Sequence, residues 1–408
     1  MSGTATCDPG SSVFSRQASP LESIESAKAF LVAESSRLCA DAVERKARAI
    51  VLTGSMSRDE ATLKQDYAGW RVLGDLTLLV VFDRRARLRT AAVEAEIERF
   101  LLAHSIRCKI VVVTTTASAL RKMRPHIYAH ELRERGIVVW GDKSVLDLMP
   151  RFTAADIPIE DGWWFLCNRL IEQLETAAKA NQSHDTDATI QYRIAKLYLS
   201  MAACYLLTIG QYEPSYRGRA LRLQELSVSS NPQPSPIPLQ RFSRRVSECT
   251  LLKMDGETTG AFGEFPKWCD AVSDAESLWR WTLEKILRVE QVSSRSGLLA
   301  VLAKQQPILL RGKGWLRAIA KYPTVFSKDC IRWIRLARLA SPRYLVYGAA
   351  CDLFFGSQES DTLEPGQLRA IANRLPLSRF NAGEPLSWHL VAMMVADNFH
   401  GLVESTRS

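Results

Sequence analysis

Three stretches of the 408-residue chain carry residues whose types and spacing suit phosphate chemistry. Gly54-Ser55 follows the apolar run Ala49 to Thr53 and leads into Met56-Ser57-Arg58-Asp59-Glu60-Ala61. A Gly-Ser at a strand-to-helix turn lets backbone N–H groups and a hydroxyl come close to a phosphate. Gly74-Asp75 then opens the apolar run Leu76 to Phe82. Acidic side chains two apart on such a strand share one face. With a further carboxylate from a neighbouring strand they hold paired magnesium ions, which activate an attacking hydroxyl and neutralise a triphosphate. The last stretch runs from Leu120 to Leu132, including Pro125-His126-Ile127-Tyr128-Ala129-His130-Glu131, and is followed by Gly136 to Asp142 (GIVVWGD).

The elements that must position these residues follow from apolar periodicity. Leu21, Ile24, Ala27, Phe30, Leu31, Leu38, Ala42 and Val43 recur at helical spacing, which predicts a helix over Pro20 to Arg48. Strands are predicted at Ala49–Thr53, Leu76–Phe82, Lys109–Thr114 and Ile137–Trp140, with a helix over Thr90–His104 and a broken helix from Ala117 to Arg135 around Pro125. LTLLVVF is apolar almost throughout, as expected for a strand covered on both faces. After Pro158 the pattern becomes helix after helix, interrupted most clearly at Ser227 to Pro238 (SVSSNPQPSPIP). The chain therefore divides into a flexible tail (1–19), an α/β unit with a small mixed sheet (20–157), a helical segment (158–226), a linker (227–238) and a second α-helical segment (239–408). The fold class is α+β: a small mixed sheet followed by an all-α half.

LTGSMSRDEA followed by GDLTLLVVFD resembles the Gly-Ser, short helix and D-x-[DE] strand of the polymerase-beta-like nucleotidyltransferases, and PHIYAHEL…GIVVWGD resembles the tail of such domains. The resemblance covers about residues 45–145. It implies Gly54 and Ser55 as the nucleotide-binding cradle, Asp75 as a catalytic magnesium ligand, and transfer of a nucleoside monophosphate from a nucleoside triphosphate to a hydroxyl. Helices beyond the α/β unit would form the far wall of the nucleotide cleft, with Tyr192, Lys196, Tyr212, Tyr216 and Arg217 on or near them.

The sequence departs from that pattern where the charge matters. The second carboxylate position is Thr77, and the third strand reads Lys109-Ile110-Val111 with no acid. A neutral hydroxyl is a poor magnesium ligand, and a lysine repels the ion. Transfer is expected to be weakened or lost, and Mg²⁺ is expected only with activity. The alternative reading is a non-catalytic module that binds a nucleotide, RNA or a protein. Asp59, Glu60, Asp66 and Asp83 are the acids that would have to fold back to restore the site.

A separate basic segment, Lys304 to Arg343, holds ten Lys/Arg against Asp329 alone, within a chain of net charge +9. Arg332, Arg335 and Arg338 recur every three residues on a predicted helix and are candidates for binding RNA or another polyanion. His126 and His130 share a helical face, but HIYAHEL is not HExxH, and packing or solvated histidines are the expected reading. No GxSxG elbow, P-loop or Rossmann glycine pattern occurs. The nine cysteines contain no CxxC pair, which argues for reduced thiols and a cytoplasmic protein. The longest uncharged run, Leu197 to Tyr212, is shorter than a membrane span, and no membrane partner is expected.

Overall fold

The computed structural model describes residues 23–43, 46–84, 88–180, 187–231, 233–256, 261, 264–289, 294–359, 363–378, 380 and 385–403. The tail expected at 1–19 lies outside them. The first half runs α1 (Ile24–Val43), β1 (Ala47–Thr53), β2 (Leu63–Asp66), β3 (Gly69–Phe82), α2 (Thr90–Ala103), β4 (Ile106–Thr116), α3 (Ala117–Arg121), α4 (Ile127–Arg135) and β5 (Ile137–Gly141). β3 is the centre of the sheet. β1 pairs with it antiparallel, Thr53 opposite Thr77, and β5 pairs antiparallel with the far side of β1. β4 runs parallel to β3 on its other side, Asp75 opposite Lys109 and Thr77 opposite Val111. The sheet is therefore mixed. The chain between Ser55 and Asp75 holds an unforeseen hairpin, β2 with the first residues of β3, Asp66 opposite Gly69. Its strand LKQD has one buried residue in four, too little apolar content to read as a strand.

Alternation along β3 explains its apolar run. Leu76, Leu78, Val80 and Phe82 pack under α1 and α2 with Leu31, Val93 and Ile97. Leu79 and Val81 point the other way, against Leu120, Ala129 and Leu132 of α3 and α4. Near the start of that second face, beyond the cover of the helices, stand Asp75 and Thr77. The outer strand β4 is closed to further pairing: the amides of Ile110 and Val112 donate to Glu98 and Glu94 of α2 at 2.9 and 2.7 Å.

The second half is helical: α5 (Ile159–Ala180), α6 (Asp187–Thr208), α7 (Tyr216–Ser227), α8 (Leu239–Asp255), α9 (Trp268–Leu287), α10 (Arg295–Gln305), α11 (Ile308–Lys321), α12 (Pro323–Leu339), α13 (Pro342–Glu359), α14 (Pro365–Asn373) and α15 (Trp388–Leu402). One apolar core joins Trp163 of α5 to Val403, so the helices on either side of the 227–238 linker bury their stripes against one another. The uncharged run from Leu197 lies in α6, buried from Leu197 to Leu207. Trp163 packs against Trp279 and Phe354 against Phe355, as expected of core aromatics. No helix among the described residues is long and apolar enough to cross a membrane.

Candidate functional site

β1 ends beside the start of the apolar half of β3, and the sequence dictates how the chain leaves. Gly54 has φ +81°, a left-handed conformation that a side chain disfavours, and a Cβ there would stand 3.9 Å from Thr77 Oγ1. The turn carries Ser55 past the end of the ladder on the Asp75 side, where both residues are accessible to solvent. Lys109, the parallel partner of Asp75, is exposed on the same face. The sheet thus brings together Gly54, Ser55, Asp75 and Thr77, and adds a lysine where a further carboxylate would be needed.

None of the other acids supplies the missing charge. Asp59 pairs with Lys28 at 2.8 Å, Asp66 with Arg107, and Asp83 with Arg48 at 3.3 Å. Glu60 is turned inward, 1% exposed, and pairs with Arg58 at 2.9 Å. Among the described residues no group of three or more His, Cys, Asp or Glu side chains could hold a metal ion. One carboxylate flanked by a threonine and a lysine does not fit a magnesium pair.

The helical half supplies the opposite wall. Tyr192 of α6 donates its hydroxyl to the Leu73 carbonyl, two residues before Asp75. Lys253 of α8 is only 4% exposed, and its ammonium donates to Thr62 Oγ1 at 3.0 Å, Tyr192 Oη at 3.0 Å and the Leu73 carbonyl at 3.4 Å. Thr62 in turn donates to the Lys253 carbonyl. All of these acceptors are neutral. Burial pushes the Lys253 ammonium down to about 8, the positive charges of Lys196, Arg169 and Arg58 push the same way, and Asp75 opposes them. Lys196, half-buried on α6, shares the single carboxylate of Glu172 with Arg169 of α5. Among the described residues, positive charge around Lys253 therefore exceeds what Asp75 and Glu172 balance.

A second contact between the halves sets arginines against carboxylates. Arg58 bridges Glu60 and Glu131, each at 2.9 Å. Tyr212 donates to Glu131, Arg219 approaches it at 3.9 Å, and the Arg217 amide donates to Glu60 at 3.0 Å. The Arg219 guanidinium lies over the rings of Tyr212 and Tyr216 at 5.6 and 4.9 Å. Burial alone would lower the Arg58 pKa, but Glu131, Tyr216 and Glu60 more than offset it and raise it.

Of the residues anticipated on the helical wall, Tyr192 and Lys196 face the Asp75 region, whereas Tyr212, Tyr216 and Arg217 belong to this paired contact. His126 caps α4, its Nδ1 accepting from the Ala129 amide at 2.9 Å, and His130 packs between Phe152 and Tyr212. Lys253, Arg169 and Arg58 were not anticipated. Lys253 sits in LLKMD near the end of an amphipathic helix, a context in which lysines are ordinarily solvated, so no local signal marks it.

In the basic segment, Arg332 uses its guanidinium on the backbone, donating to the Ser378 and Leu375 carbonyls at 2.6 Å each, while Arg335 and Arg338 are exposed. The even three-residue spacing therefore conceals two kinds of arginine, one tied to the end of α14 and two facing solvent.

Compared with protein-family models and with curated proteins, the chain finds no match.

Proposed function

We propose that the chain is a nucleotide-binding protein resembling the polymerase-beta-like nucleotidyltransferases, which holds a polyphosphate directly on its own cations and has little or no transferase activity. The observation that carries this reading is the charge around Asp75. Asp75 stands beside Lys109 in the sheet and acts on Lys253, on which Lys196 and Arg169, both paired with Glu172, act in the opposite sense. In a two-metal site carboxylates gather cations that then bind phosphates. Here ammonium and guanidinium groups occupy the places next to the phosphate path, so an anion needs no intervening metal. The Gly54-Ser55 turn supplies backbone donors on the sheet side, and Lys196 supplies a flexible charge on the helical side.

Calorimetric titration with a non-hydrolysable nucleoside triphosphate, with and without EDTA, tests the proposal. Binding is expected to persist in EDTA, and Lys196→Met is expected to weaken it about tenfold, the loss of one charge-assisted hydrogen bond. Binding that vanishes without magnesium would reject the direct-cation reading. Pyrophosphate release from a triphosphate with magnesium, abolished in Asp75→Ala, would establish the transferase instead.

A further inference from the structure

The molecule exposes large aliphatic side chains unevenly. Leu309 and Leu316 of α11 are 79% and 67% exposed, and Ile331 and Ile334 of α12 are 65% and 50% exposed. Their neighbours Ile308, Leu310 and Leu339 are exposed as well. Helical geometry puts Leu309 and Leu316 on one side of α11, and Ile331, Ile334 and Leu339 on one side of α12. Leu309, Lys313 and Leu316 follow at i, i+4 and i+7, and Ile331, Ile334, Arg335 and Arg338 at i, i+3, i+4 and i+7, after a kink at Asp329. Trp315 and Trp333, 5% and 1% exposed, occupy the opposite sides and pack on each other with ring centroids 5.4 Å apart. The hairpin is therefore anchored by its tryptophans and by Leu336, and leaves Leu309, Leu316, Ile331 and Ile334 exposed together with Lys313, Arg317, Arg335 and Arg338.

An ordinary solvated helix is polar on its outer side, and seven exposed Ile and Leu side chains within 308–339 are not explained by solubility. Three occupants suit a surface both aliphatic and cationic unequally. A second copy of the same face would set Lys313, Arg317, Arg335 and Arg338 against the same four cations. RNA would neutralise the cations but leave the aliphatic side chains unused, and the two tryptophans that would stack on bases are buried. An anionic lipid surface satisfies both halves: aliphatic side chains enter the acyl boundary while lysines and arginines meet the headgroups.

We propose that the α11–α12 hairpin docks this protein on anionic bilayer surfaces, lying in the interface without crossing it. The site is separate from the Asp75 cleft, and neither reading depends on the other.

Flotation of the full chain with vesicles tests this, using phosphatidylcholine alone and phosphatidylcholine with about a third phosphatidylglycerol. Binding is expected to the mixed vesicles only and to weaken with salt. Each basic residue near such a surface contributes about a fivefold factor. Lys313→Gln, Arg317→Gln, Arg335→Gln and Arg338→Gln together should therefore lower partitioning by roughly 600-fold. The decisive variant keeps every charge: Leu309→Ser, Leu316→Ser, Ile331→Ser and Ile334→Ser together should lower it at least tenfold, with circular dichroism and the thermal midpoint showing that the fold survives. The proposal is overturned by absence of vesicle binding, by equal binding to neutral vesicles, or by a serine variant that binds like the parent chain. A dimer that the serine variant converts to monomer would also overturn it. So would high-affinity RNA binding that the serine variant keeps, in the absence of vesicle binding.

Discussion

The two contacts that join the sheet half to the helical half treat buried charge in opposite ways. At the first, Arg58 and Arg219 meet Glu60 and Glu131, two cations against two carboxylates, closed off by Tyr212 and Tyr216. At the second, Lys253 is buried as deeply but meets only hydroxyls and a carbonyl. A buried pair holds its partners in place, and a buried cation with neutral neighbours is under pressure to lose its proton or to gain an anion. The first contact is thus a fastening. The second leaves Lys253 with neutral hydrogen-bond partners among the described residues.

The largest expected effect tests the fastening. Arg58→Ala strands Glu60, 1% exposed, without its ion-pair partner and should cost about 3–5 kcal/mol in urea denaturation. A loss below about 1 kcal/mol would mean that Arg58 is not needed to hold Glu60 and Glu131 for the bonds they accept from the Arg217 amide and Tyr212.

The next concerns pH. The folded protein holds the Lys253 ammonium at about 8, below its unfolded value, so between those values the unfolded chain binds the extra proton and folding gains as pH rises. Relative to Lys253→Met, the parent chain should therefore gain roughly 2 kcal/mol between about pH 8 and 9.5. The whole molecule should move the other way. Burial pushes the Cys39 and Cys204 thiols up to about 12, so stability present below the unfolded thiol range is lost as pH climbs through it, about 1.4 kcal/mol per pH unit for each thiol. A parent–variant difference that stays flat over this window would show Lys253 to be neutral or solvated already. Saturating nucleotide should also flatten the difference, because an anion in the cleft restores the proton.

The smallest effect separates the hydroxyl of Tyr192 from its ring. Tyr192→Phe removes the bond to the Leu73 carbonyl and one acceptor of Lys253, and should cost about 1 kcal/mol while keeping the ring under the Lys196 and Lys253 ammonium groups. An unchanged midpoint would assign the contact to packing alone.

Much of the sheet half was legible because its signals are local. The apolar runs from Ala49, Leu76 and Lys109 fall inside observed strands, and the helix at Thr90 differs by one residue at its end. Gly54-Ser55 and Asp75 could be set side by side once the strands were ordered. The hairpin at Leu63–Asp66 was hidden, since it is held by backbone pairing with β3 and contacts from the helical half rather than by its own apolar pattern. Arg332, Arg335 and Arg338 look equivalent in sequence, and only the approach of the chain at Leu375 and Ser378 separates the first from the others.

By itself the sequence determined the α+β order, the point at which strands give way to helices, the absence of a second and third carboxylate at 77 and 109, and the concentration of positive charge in 304–343. These are matters of residue type and short-range period, and they survive any arrangement of the elements. Tertiary structure alone decided that Lys253, 191 residues from Thr62, closes on it, that Glu60 turns inward to Arg58, and that Leu309, Leu316, Ile331 and Ile334 remain outside while Trp315 and Trp333 go in. Charge and amphipathicity are written along the chain, but which cation is buried and which apolar side is left uncovered depends on what packs against each helix, and that is settled only when distant elements meet.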